Sequence, residues 1–392
     1  MTLGFMRENL EALRSKGLYR QLRTIDSAQD SWVMLEGRRI LNLCSNNYLG
    51  LAAHPEVKKS AAQAIEKWGC GSGASRLICG NLALHSELER RLAAFKGNEA
   101  ALLYSSGYTA NLGIIPAIVG KGDMVFSDEL NHASIIDGCQ LSRARVIVFP
   151  HNNLSALEAR LRRVANGKSG RKLIVVDSVF SMDGDLAPLP ELANLADKYG
   201  CLLMVDEAHA NGVLGPGGRG MVAHFRLEKS ITLAMGTLSK ALGSMGGFAV
   251  GSSEMVDFLI NKSRSFIYTT ALSPGAVAAA AKALTILEEE PYLPQKVQSN
   301  ACYLRGGLKK LGYNTLNSQT QIVPVMVGDA ARALEMSRCL LDGGIMAAAV
   351  RPLTVPDDTC RIRTTVMATH THQELDFAIN VFEKAGKTLG LI

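Results

Sequence analysis

No stretch of this chain is long and apolar enough to suggest a bilayer span. The longest apolar run, Ala276 to Leu287, is interrupted by Lys282, whereas a spanning helix needs about 20 apolar residues. The first residues, through Arg23, mix charges with isolated leucines and lack the apolar block of an export signal. A soluble, cytoplasmic protein without a membrane partner is the expectation. Long basic runs are also missing: the formal net charge of +6 is dispersed, so nothing points to nucleic acid. The eight cysteines are scattered, several inside apolar runs, and include no C-x-x-C pair, so they read as reduced core residues. There is no G-x-x-x-x-G-K-[ST] cradle for a nucleoside triphosphate. His370-Thr371-His372 has no Cys, Asp or Glu at finger-like spacing, so it reads as a helix start and no metal is expected.

What is present is a large globular composition. With 392 residues and 47% hydrophobic content, the chain can bury a sizeable core. Residues 5–23 read as an amphipathic helix carrying Arg7, Arg14, Arg20 and Arg23, and Trp32–Leu35 with Ile40–Leu43 as a hairpin. A helix is expected from Pro55 to Trp68, followed by alternation of helix and strand. Leu173–Val176, a crossover helix over Leu189–Tyr199, and Leu202–Val205 form a βαβ unit, which implies parallel pairing. Adding strands at Ile231–Met235 and Gly247–Val250 makes the middle of the chain a mostly parallel α/β sheet. Glu288 to Pro294 interrupts an Ala-rich helix, and the remainder reads as α+β. The expected division is a helix and hairpin over 1–45, a large α/β domain over 46–287 and a C-terminal domain over 288–392.

Lys240 follows an apolar strand inside a run of small residues, Thr237 to Gly247. Open α/β sheets place ligands at strand carboxyl ends, and a lysine withdrawn from water becomes a nucleophile able to form Schiff bases. Alone, such a lysine is more commonly a solvated loop residue. Asp206, however, directly follows four apolar residues and is costly to bury without a partner. A protonated pyridine nitrogen is such a partner, so Asp206 and Lys240 together fit pyridoxal phosphate. Ser105-Ser106-Gly107, between a short strand and a helix, suits the phosphate. His132, His209 and Ser181 lie at neighbouring strand ends, although each histidine alone could be a hydrogen-bonded loop or cap residue. Two stretches, Gly215 to Gly220 and Gly69 to Ala74, match dinucleotide-binding glycine patterns, but neither lies between a strand and a helix.

Several longer motifs occur in order: SNNYLG at Ser45–Gly50, GSGASR at Gly71–Arg76, SSGYTAN at Ser105–Asn111, NHAS at Asn131–Ser134, VFSMDGD at Val179–Asp185, VDEAH at Val205–His209 and GTLSKAL at Gly236–Leu242. On these the chain resembles the α-oxoamine synthases, pyridoxal-phosphate enzymes of the aspartate-aminotransferase-like fold type I. The segment from Val350 to Pro356, followed by Arg361-Ile362-Arg363, resembles the branch that condenses L-alanine with a pimeloyl thioester, on CoA or an acyl carrier protein, in biotin biosynthesis. Leu353 stands where that branch has proline, and Ala210-Asn211 replaces its usual Ser-or-Gly then Thr.

The resemblance implies that Lys240 is the Schiff-base lysine and proton carrier, with Asp206 on the ring nitrogen and His132 stacked on the ring. Ser181 and His209 would contact the ring's phenolic oxygen. Gly107, Tyr108 and Thr237 would hold the phosphate, and Thr270 would reach that of a partner subunit, which implies a homodimer. Arg363, with Asn46 nearby, would bind the amino acid carboxylate, while Arg20 and Thr354 would face the acyl chain. The alternatives are glycine with acetyl-CoA, or a non-catalytic binding subunit that keeps the fold.

Overall fold

The computed structural model describes residues 3–165, 170–352 and 354–392; Leu353 therefore lies outside the described residues. In chain order the strands are β1 Trp32–Leu35, β2 Arg38–Asn42, β3 Ala100–Tyr104, β4 Met124–Asp128, β5 Arg145–Phe149, β6 Lys172–Asp177, β7 Leu202–Asp206, β8 Leu233–Thr237, β9 Gly247–Gly251, β10 Ile322–Gly328, β11 Ile345–Met346, β12 Ala348–Val350 and β13 Cys360–Thr365. The chain forms two compact units, Leu51–Ser181 with Leu186–Gln295, and Met1–Gly50 with Met182–Asp185 and Lys296–Ile392.

The first unit is built on a seven-stranded sheet in the order β3-β9-β8-β7-β6-β4-β5. Strands β4 to β8 pair in parallel, and β9 runs antiparallel between β3 and β8. The expected parallel sheet is present, with β9 as its one reversed strand. Every residue of β4, β8 and β9 is buried, because helices cover both faces of such a sheet and leave no strand face for water. The helix Gly107–Ile118 packs Ile114, Ile115 and Ile118 into a cluster with Val125, Leu173 and Met204. Each such aliphatic contributes about 1.5–3 kcal/mol relative to exposure. A strand was expected from Ile231, but the ladder starts at Leu233 and ends at Thr237. The cause is local: the Leu203 amide bonds the hydroxyl of Thr232 at 2.9 Å.

In the second unit β1 and β2 form the expected hairpin, with β11 added in parallel to β2. A second sheet has the order β10-β13-β12, antiparallel throughout. The helix expected over 5–23 spans only Gly4–Ser15 and buries none of its side chains. Gly17, at φ +64°, stops it, with Leu18 N–H bonding Leu13 O and Gly17 N–H bonding Arg14 O, the paired bonds of a glycine-terminated helix. Arg20 and Arg23 lie beyond its end. The cysteines also differ from expectation. All eight are free, but Cys70, Cys79 and Cys302 are exposed and only Cys139 and Cys360 are fully buried. Apolar neighbours in sequence do not put a residue on the inner face of a turn or helix. Among the described residues no helix is long and apolar enough to cross a membrane.

Thr371 is the N-cap of the helix His372–Thr388, in a reciprocal capping box with Glu374, as expected for the His-Thr-His segment. His370 just before it is 1% exposed, and its Nδ1 accepts the Met367 N–H at 3.0 Å. Burial pushes its pKa down from 6.5 to about 4. The unfolded chain takes up this proton first, so stability is lost as pH falls from 6.5 toward 4, with no contribution above that window. The loss is on the order of 3 kcal/mol at most. A His370→Asn variant should show a smaller change in urea midpoint between about pH 7 and about pH 4.5 than the unmodified chain. Equal changes in both would assign the acid sensitivity to other groups.

Candidate active site

Six of the seven strands of the large sheet run the same way, so their carboxyl ends share one edge. That edge collects most of the residues singled out in sequence. After β3, Ser106 caps the helix Gly107–Ile118 by accepting the Thr109 N–H at 3.0 Å. The N–H groups of Gly107 and Tyr108, in the first turn, have no intrahelical acceptor by the geometry of a helix start. A Cβ at Gly247 would collide with Ser106 O and Gly107 N, so only glycine lets β9 run beside this turn. Thr237 is brought to the same place: a Cβ on Gly107 would lie 3.5 Å from its Oγ1. That hydroxyl donates to Gly246 O at 2.9 Å and accepts the Ser239 N–H at 3.1 Å. The result is a set of small residues and N–H donors suited to a phosphate.

Asp206 ends β7 and is 3% exposed. Its Oδ2 accepts from Asn111 Nδ2 at 2.8 Å and its Oδ1 from the Ala208 N–H at 2.8 Å. The turn that follows brings Nε2 of His209, 6% exposed, to 2.8 Å from Nζ of Lys240. Asp206, His209 and Lys240 are therefore brought together at the strand ends. Ser181, on the turn after β6, is half-buried.

His132 is the N-cap of the helix Ala133–Ser142, with Nδ1 2.7 Å from the Ser134 hydroxyl. The ring keeps solvent contact, yet desolvation by the surrounding protein holds its pKa below the ordinary value, opposed by the nearby Asp206 carboxylate. The backbone N–H of His132 donates to Asp177 Oδ2 at 2.7 Å. Asp177 is the register neighbour of Asp206 across β6 and β7. Burial, and then the Asp206 charge, hold its carboxyl well above the usual range. Tyr108 meets His132 edge to face, with ring centroids 6.3 Å apart, and its hydroxyl donates to Asp137, which raises the phenol's pKa. Thr270 is placed by a bridge to Ser75 and lines a recess with Ser105 and Thr269.

The second unit holds the remaining candidates. Arg363 lies in the middle of β13 and is 7% exposed. Its Nη2 donates to Asn46 Oδ1 at 3.3 Å, and the same oxygen accepts from the Tyr48 hydroxyl at 3.1 Å. Thus Arg363 and Asn46 are brought together. Arg20 and Thr354 are both exposed. The Thr354 N–H bonds Arg351 O at 3.1 Å, and Arg351 in turn donates to Gly17 O.

Asn111 and Asp177 carry parts of the site that sequence reasoning did not single out. Asn111 stands four residues after Gly107 in one helix, so it repeats on the same face one turn later. That spacing was a usable signal. Asp177 had none, since its contact with His132 depends on β6 lying beside β4.

The arrangement fits pyridoxal phosphate: a buried carboxylate answers a protonated ring nitrogen, an amine answers the aldehyde, and a helix start with small residues answers the phosphate. Residues 38–382 match the family model for class I and II aminotransferases. An 8-amino-7-oxononanoate synthase of Geobacter sulfurreducens is 53% identical over 385 residues, 98% of each chain. One of Thermoanaerobacter pseudethanolicus is 49% identical, covering 100% of this chain and 98% of that protein. Among solved structures, a serine palmitoyltransferase from S. paucimobilis superposes with a TM-score of 0.94 at 34% identity, covering 100% of this chain and 99% of that one. An 8-amino-7-oxononanoate synthase from Francisella tularensis gives 0.77 at 27% identity over 90% and 99%. Such agreement over nearly the full length means that the chain belongs to the class I and II aminotransferase family, in its α-oxoamine synthase branch.

Proposed function

We infer that this chain is an 8-amino-7-oxononanoate synthase, which joins L-alanine to a pimeloyl thioester with loss of carbon dioxide and the thiol. The observation that carries the reading is the 2.8 Å approach of Lys240 Nζ to His209 Nε2, one turn after the buried Asp206. The names of relatives at 53% and 49% identity support the product, and alanine with a pimeloyl thioester fits that product. Pyridoxal phosphate, held by Lys240, Asp206, His132, Ser181, His209, Gly107, Tyr108 and Thr237, supplies an electron sink that makes the amino acid's α-proton acidic.

The chain's own groups do the rest. Lys240 Nζ is the base for the α-proton and later returns a proton to carbon; its neighbour His209 keeps the amine oriented. Asp206, held by Asn111, would keep a proton on the ring nitrogen of the bound cofactor. Arg363 offers its fork to the alanine carboxylate, a planar match that a lysine lacks, and Asn46 holds that fork. Arg20 and Thr354 receive the acyl thioester, whether on CoA or a carrier protein. Thr270 serves the phosphate of a second copy, so the working form is a homodimer.

Purified protein supplied with alanine or glycine against pimeloyl-, acetyl- and succinyl-CoA should be fastest with alanine and pimeloyl-CoA. A preference for glycine and acetyl-CoA would replace this reading with a glycine C-acetyltransferase, and no turnover with any pair would favour a non-catalytic binding subunit. Lys240→Ala should abolish both turnover and the borohydride-reducible link to the cofactor. Asn111→Ala removes a bond to a charged group, worth about 1.5–3 kcal/mol, so the dissociation constant for pyridoxal phosphate should rise about 10- to 100-fold in a fluorescence titration. An unchanged constant would show that Asp206 does not need Asn111.

A further inference from the structure

A second buried charge follows the site's aspartate directly and has no part in the chemistry above. Glu207 is 0% exposed, and its Oε2 lies 2.6 Å from Nζ of Lys96, itself 3% exposed. Lys96 ends the helix Ala83–Lys96 and also donates to Arg219 O. Oε1 of Glu207 accepts the Val222 N–H at 2.9 Å. Taking both charges out of water is expensive, and such a pair is weak evidence of a contribution to stability alone.

Its surroundings point to placement instead. Arg219 belongs to the glycine-rich stretch that imitates a dinucleotide motif, and Val222 lies two residues beyond its end. Gly220 has φ +96°, and a Cβ there would collide with the Glu207 carboxylate. Gly215 is packed just as tightly against the Gly220 carbonyl. Close approach to the Glu207 carboxylate accounts for Gly220, and close approach to the Gly220 backbone accounts for Gly215. The backbone of Glu207 meanwhile joins the parts of the active site. Its N–H donates at 2.7 Å to Met235 O in β8, the strand leading to Lys240. Its carbonyl accepts the N–H groups of Ala210 at 3.0 Å and Asn211 at 2.8 Å, closing the turn that presents His209.

We propose that the Lys96–Glu207 pair is a positioning device for the reacting lysine, holding the turn from Asp206 to His209 in register with Lys240. Both residues act through that turn. The proposal rests on Lys240 being the cofactor lysine.

The test compares unmodified holoenzyme with Glu207→Gln, Lys96→Met and the double variant Lys96→Met/Glu207→Leu. The pH midpoint of the cofactor's visible absorbance is read in each. In cofactor-free protein, the rate of Lys240 acetylation by acetic anhydride is read by mass spectrometry. The double variant leaves no uncompensated charge and should recover the thermal midpoint that the single variants lose. It should nevertheless keep an absorbance midpoint displaced by about one pH unit, and kcat should fall about tenfold with KM little changed. Lys240 acetylation should change by a similar factor. A double variant with the unmodified absorbance midpoint and acetylation rate would overturn the proposal and leave the pair a purely structural role. If the unmodified protein shows no visible band with pyridoxal phosphate, it is the cofactor reading that fails.

Discussion

The structure depends on keeping a carboxylate, Asp206, almost out of water. It stands at the end of a strand whose Leu203, Met204 and Val205 are no more than 1% exposed, and it is itself only 3% exposed. A bare charge there would be costly, so donors converge on it: the Asn111 amide and the Ala208 backbone. Burial, and then Asp206 itself, hold the carboxyl of its register neighbour Asp177 well above the usual range. The same arrangement that makes the charge tolerable makes it useful, since a carboxylate so held is ready for a protonated ring nitrogen.

The sheet explains why the other groups arrive there. Parallel strands buried on both faces have no side left for chemistry, so polar residues gather in the turns at their carboxyl ends. Gly107, His132, Ser181, His209 and Lys240 come from turns after β3, β4, β6, β7 and β8. The reversed strand β9 runs between β3 and β8, and Gly247 at its start lets it lie against the turn at Ser106 and Gly107. In the glycine-rich stretch after His209, the missing side chain of Gly220 makes room for the Glu207 carboxylate of a buried ion pair.

Much of this was legible in the chain. Strand runs such as Leu202–Val205 and Ala100–Tyr104 are short, apolar and punctuated, and the helix from Pro55 to Trp68 is marked at its start by proline and at its end by glycine. The failures share a cause. The arginine-rich pattern continues past Gly17 in sequence, although the Gly17 N–H to Arg14 O and the Leu18 N–H to Leu13 O end the helix there. The exposed Cys70, Cys79 and Cys302 show that sequence neighbours do not report which face a residue takes.

The sequence by itself determined the α/β class, the strand ends that carry Asp206 and Lys240, and the motifs that place the chain among α-oxoamine synthases. These depend on local periodicity and on residue types whose chemistry is read one position at a time. Only the tertiary structure decided that Asn111 holds Asp206, that Asp177 holds the backbone of His132, and that Lys96 reaches Glu207. Those contacts join residues 95, 45 and 111 positions apart. They exist because strand order and register bring distant segments side by side, and no local pattern encodes that order.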